Sequence, residues 1–103
     1  MMPPDGWVEV PVIRGGRRAG LFLVKDNEIH CMRNAEYVGK WLTRQDLQRL
    51  TKPLFEAYGC IVTKIVNSNE IGKKFVTRLG FYEVSKDATN THYRAERLNH
   101  ARL

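Results

Sequence analysis

Cysteine is scarce in this chain: only Cys31 and Cys60 occur, far apart and outside any paired metal-type motif. A disulfide framework and a zinc-ribbon arrangement are therefore excluded, and two reduced thiols packed as small core residues are expected. Only four prolines occur, and no Pro- or Ser-rich stretch marks a linker. No apolar run approaches the ~20 residues that a membrane-spanning helix requires. The opening Met1-Met2-Pro3-Pro4-Asp5-Gly6 has neither a basic leader nor an apolar centre, so no secretion signal and a cytoplasmic location are expected. His92 and His100 stand without a Cys, His or Asp at ligand spacing, and no metal site is expected from them.

What is present fits a single folded domain. The chain has 103 residues, 43% of them hydrophobic and 27% charged, enough for one core spanning residues 1–103. Seventeen Lys and Arg against eleven Asp and Glu leave a net charge of +6. Such a surface attracts phosphate-bearing partners. The cations are nevertheless scattered from Arg14 to Arg102 with no block among them, and surface solvation accounts for them before nucleic acid does. Trp7, Trp41 and Tyr93 fall on different elements, as core and edge aromatics do, rather than forming a stacking platform for bases.

The pattern of apolar residues orders the elements. Trp7 to Ile13 alternates, with Val8, Val10 and Val12 on one face, and Pro11 assigns this strand to a sheet edge. After Gly15-Gly16, Ala19 to Lys25 is apolar on both faces and is expected to be buried on both sides. Asp26-Asn27 turns the chain into a third strand, Glu28 to Arg33. Thr43-Arg44-Gln45-Asp46 opens a helix whose Leu47, Leu50, Leu54 and Tyr58 recur at helical spacing up to Gly59, with a bend expected near Arg49 to Pro53. The β-branched run Cys60 to Val66 follows as a strand parallel to the third. Ser68 or Asn69 caps a second helix with the stripe Ile71, Phe75, Val76 and Leu79, leaving Lys73, Lys74 and Arg78 outside, and Gly80 ends it. Phe81 to Ser85 and His92 to Leu98 close the chain as a hairpin. The order β-β-β-α-β-α-β-β predicts an α/β (α+β) layer with a mixed sheet.

Asn69-Glu70-Ile71-Gly72-Lys73-Lys74-Phe75-Val76-Thr77-Arg78-Leu79-Gly80-Phe81 resembles the late helix of the GNAT acyltransferases, and the element order is similar to that family's over roughly residues 7–98. The family's first strand and first two helices would precede Met1. The resemblance implies a cleft where the third strand diverges from Cys60–Val66, shaped for the pantetheine arm of acetyl-CoA. It also implies a diphosphate held in the loop from Asn34 to Thr43 and at the following helix N-terminus, a place that favours anions. The family's loop, Gln/Arg-x-x-Gly-x-Gly/Ala, reads Glu36-Tyr37-Val38-Gly39-Lys40-Trp41 here, with a carboxylate at the polar position and a bulky ring in place of the last small residue. Val38, Gly39, Lys40 and Trp41, with Asn69 and Lys73, are the implied cofactor contacts. Many family members follow the Phe/Leu of the late helix with a tyrosine that protonates the departing thiolate; this chain has Val76, which has no proton to give. Tyr82 is the nearest phenol in sequence, and Glu28 and His30 share one strand face as candidate bases.

A second resemblance, resting on length and a few residues, is to small GNAT-like proteins of tailed bacteriophages, some called acetyltransferases and others head-assembly or virion proteins. It implies a catalytically degenerate chain acting through contacts with phage structural or assembly proteins, in the host cytoplasm or the virion, with self-association in place of the absent helices. The alternative is an active acetyl-CoA-dependent N-acetyltransferase on an amine. A membrane partner is not expected, and nucleic acid is the least expected of the soluble partners.

Overall fold

A computed structural model of the chain describes residues 6–99; residues 1–5, which bear on the leader, and residues 100–103, His100 and Arg102 among them, lie outside the described part. The elements follow the expected order: β1 (Val8–Arg14), β2 (Arg17–Lys25), β3 (Glu28–Arg33), α1 (Arg44–Tyr58), β4 (Ile61–Val66), α2 (Glu70–Leu79), β5 (Tyr82–Lys86) and β6 (Asn90–Ala95). They build one six-stranded mixed sheet in the order β1-β2-β3-β4-β6-β5. β3 and β4 pair parallel and all other neighbours antiparallel. No helix among the described residues is long and apolar enough to cross a membrane.

Crossover handedness decides where the core lies. β3-α1-β4 and β4-α2-β5 both advance the same way across the sheet, and right-handed connections running in one direction place their helices on one face. Leu47 of α1 and Val76 and Leu79 of α2 accordingly share a buried cluster with Phe22, Ile29, Ile61 and Tyr93. The register confirms the facing, since Phe22 pairs with Cys31 and Thr63 with Tyr93. The other face carries rows such as Pro11–Leu21–Met32 and Val62–Arg94–Tyr82. No helix among the described residues covers it, and Met32 and Tyr82 are 49% and 47% exposed. The burial expected for β2 on both sides is therefore realised on one: Phe22 is buried, whereas Leu21 and Leu23 are only half-buried.

Local signals set the helix ends. The Thr43 hydroxyl accepts from the Asp46 N–H while the Asp46 carboxylate accepts from the Thr43 N–H, a reciprocal capping box, and Gly59 ends α1 at φ +77°. α1 runs from Arg44 to Tyr58 through Pro53. Its buried positions are Leu47 and Thr51, whose hydroxyl donates to the Leu47 carbonyl at 2.7 Å; Tyr58, expected on the apolar stripe, is exposed. Asn69 is the cap of α2, accepting from the Gly72 N–H at 2.9 Å, and Gly80 ends it at φ +110°. Ile71 does not join the stripe: it is 84% exposed, because the first turn of α2 overhangs the cleft described below rather than the sheet. Lys73, expected outside, is half-buried and pairs with Glu70 at 3.6 Å. β6 starts at Asn90 rather than His92, since its ladder with β4 runs from Asn90↔Val66 to Ala95↔Ile61.

The β5–β6 turn is held by one side chain. Asp87 accepts from the backbone N–H groups of Thr89 and Asn90 at 2.8 and 2.7 Å, and its second oxygen meets His92 Nε2 at 2.8 Å. The His92 bond, then those two N–H groups, hold the carboxyl well below the usual carboxylate range. A depressed folded pKa means that the charged form supports the hairpin at and above the ordinary carboxylate range, and that this support is lost only as pH falls below it. Asp87→Ala is expected to speed amide exchange at Thr89 and Asn90 at neutral pH without affecting α1. Unchanged protection at those two amides would contradict this role.

Candidate functional site

The sheet is split along its middle. β3 pairs with β2 along its whole length, from Lys25↔Glu28 to Gly20↔Arg33, but meets β4 at the single pair Glu28↔Val62. Asn27 closes the base of this fork: its carbonyl accepts from the Val62 N–H at 2.9 Å, and its side-chain amide donates to the Cys60 carbonyl at 3.2 Å. Beyond that point the strands diverge, and the space between them is a cleft of about 710 Å³. This is the size of an ordinary small-ligand pocket, ~300–1,000 Å³. Ile29, Cys31, Thr63, Ile65, Phe75 and Trp41 are among its walls. The Cys31 thiol, half-buried there, is pushed up to about 11 by burial and stays protonated at neutral pH.

The loop between β3 and α1 forms the rim. Asn34 ties it to β2, its N–H donating to the Ala19 carbonyl at 2.9 Å and its side-chain amide to the Arg18 carbonyl at 2.8 Å. Within the expected diphosphate stretch, Gly39 takes φ +114°, while Val38 is 91% exposed and Lys40 is also exposed. Trp41 turns inward: its ring lies 5.9 Å from that of Phe22 and covers Gly20. A Cβ at Gly20 would stand 2.5 Å from the Trp41 ring and 2.6 Å from the Met32 carbonyl, so this close approach requires glycine.

The N-terminus of α1, where the family resemblance implies a bound anion, already holds one. The Asp46 carboxylate accepts from the Thr43 N–H at 3.2 Å and from the Thr43 hydroxyl at 2.8 Å. Arg14, at the end of β1, forms a salt bridge to the same carboxylate and donates to Thr43 Oγ1 at 3.2 Å. Both partners are mostly buried, with side chains 26% and 17% exposed. The capping box was visible in sequence; the Arg14 clamp was not, since no local signal links residues on distant elements.

The remaining expected site residues fall in three places. Asn69 reaches the cleft, with its side-chain oxygen committed to capping α2, and Lys73, on the next turn, is paired with Glu70. Glu28 and His30 share one face as expected and bind each other, Oε2 to Nε2 at 2.6 Å, with the Trp7 ring 5.3 Å from the imidazole. That face is the sheet side that no helix covers among the described residues. Tyr82 is separate from both groups, because β4 and β6 lie between β5 and β3. Its hydroxyl donates to Glu96 at 2.6 Å, and this bond raises the phenol above its ordinary value, away from proton donation at neutral pH. Cys60, expected in the core, is half-buried at the fork.

No family model, curated protein or solved structure matches this chain.

Proposed function

We propose that the chain is a GNAT-like domain that has lost acyl transfer and works by binding proteins, as a phage head-assembly or virion accessory protein. The observation that carries this reading is the self-filled anion site at the start of α1. A diphosphate brought there would meet the Asp46 carboxylate, already clamped by Arg14 and bonded to the Thr43 N–H and hydroxyl, while the Asp46 N–H is taken by Thr43 Oγ1. Two further features support it. Asn69 and Lys73 are engaged within α2, and the phenol nearest in sequence to the lost acid position lies two strands from the cleft. The helix-free sheet face, with Pro11, Leu21 and Met32 in one row, provides apolar surface of the kind that protein contacts use.

The fork between β3 and β4 favours a second reading, an acetyl-CoA-dependent N-acetyltransferase. In that reading the pantetheine arm lies between the diverging strands, Val38 to Trp41 face the diphosphate, and the Glu28–His30 pair accepts a proton from the amine acceptor. Calorimetric titration with acetyl-CoA separates the two readings. No heat at millimolar ligand is the expected result, and a dissociation constant in the micromolar range would overturn the binding-protein reading.

A further inference from the structure

A second concavity, of about 1,050 Å³, lies on the helix-bearing side of the sheet, between the edge strand β1 and the N-terminal half of α1. Val10, Leu50 and Pro53 give it an apolar, partly open floor above the buried Val12 and Phe22. Its polar boundary is strongly one-signed, with Arg14, Lys40, Arg44 and Arg49 around the single carboxylate of Asp46. Arg14 is committed to that carboxylate, and Lys40 is also engaged within the fold. Arg44 and Arg49 are exposed and form no hydrogen bond or ion pair among the described residues.

We infer that this groove docks an acidic amphipathic helix, a partner segment with apolar side chains on one face and carboxylates beside them. Charge selects the occupant: Arg44 and Arg49 stand on α1 beside an apolar floor, so a guest must present carboxylates next to apolar groups. Backbone chemistry selects its conformation. β1 is an edge, but Pro11 in its middle has no N–H to offer an added strand, so strand addition is interrupted and a helix laid in the groove is favoured. The length is adequate. Val10 to Arg14 spans ~15 Å of extended chain, nearly three helical turns of a guest. Nucleic acid fits less well, because the aromatic side chain of the groove, Phe22, is 2% exposed and cannot stack on a base.

This inference names the partner chemistry for the protein-binding reading above and is tested separately from it. Heat with acetyl-CoA would remove that reading without touching the result of a peptide titration. The probe is a labelled synthetic peptide of about 15 residues with leucine at i, i+3, i+4 and i+7 and glutamate elsewhere. Its controls are a same-composition scramble, a version with lysine for glutamate, and an oligothymidylate of similar length. The expected result with the full chain is micromolar binding of the patterned acidic peptide alone, with amide shifts concentrated at Val10–Arg14 and Arg44–Pro53. R44E/R49E, two exposed positions, is expected to fold normally by circular dichroism, weaken that peptide by about tenfold or more, and gain affinity for the lysine version. Equal binding of the scramble, preference for the oligonucleotide, no binding of the patterned peptide, or shifts elsewhere on the molecule would each overturn the proposal.

Discussion

Gly20→Ala is expected to destabilise the fold by about 1–3 kcal/mol, the usual cost of adding atoms to a filled interior. For a domain of this size that lowers the melting temperature by about 5–20 °C. The reason is specific. The new Cβ would stand within 2.6 Å of both the Trp41 ring and the Met32 carbonyl. The ring can turn aside, but the carbonyl belongs to the neighbouring strand and cannot move without disturbing the Gly20↔Arg33 end of the β2–β3 ladder. A double-mutant cycle tests this division: Trp41→Ala should be less costly in the Gly20→Ala background than in the native chain, yet should not restore native stability. An unchanged melting temperature for Gly20→Ala would mean that neither the Trp41 ring nor the Met32 carbonyl lies this close to Gly20.

Asp46→Ala has the next largest expected effect, about 2 kcal/mol. Losing the Asp46 half of the capping box, with its negative charge in the first turn of the helix, contributes ~1 kcal/mol. A similar amount follows from leaving the mostly buried Arg14 guanidinium without its counter-charge, a cost reduced by its residual solvent contact. Asp46→Asn, which keeps an acceptor for the Thr43 N–H, should lose about half as much. The more informative readout is a gain. With the carboxylate gone, the α1 N-terminus and Arg14 form an open anion site, so added pyrophosphate should raise the melting temperature of Asp46→Ala while leaving the native protein unchanged. Equal stabilisation of both proteins would show that Asp46 does not occupy an anion position.

The parts of this molecule legible in the sequence are those set by neighbours along the chain. Thr43 with Asp46, Gly59, Asn69 and Gly80 state the helix ends, because each acts within four residues. The β-branched run before α2 and the helix between it and β3 imply the parallel crossover, which forms as expected. What was not legible depends on residues far apart in sequence. Ile71 has helical spacing with Phe75 and is nevertheless exposed, since the stripe is buried only where the sheet continues beneath it. The clamp of Arg14 on Asp46 and the ring of Trp41 on Gly20 join separate elements and leave no periodic trace. Leu21 and Leu23 look fit for a doubly covered strand, but the described helices both lie on the other side. Within the candidate site, the parallel β3–β4 pair that opens into the cleft follows from the order of elements along the chain, while the committed state of Asn69, Lys73 and the α1 N-terminus emerges only in three dimensions.

The single Glu28↔Val62 pairing has a mechanical consequence. Two groups of three strands, each internally well laddered, are hinged at one end by Asn27 and its neighbours, and no other strand pairing joins them among the described residues. Tension applied across that seam would part the halves like an opening book, with Asn27 at the spine, before either half lost a ladder of its own.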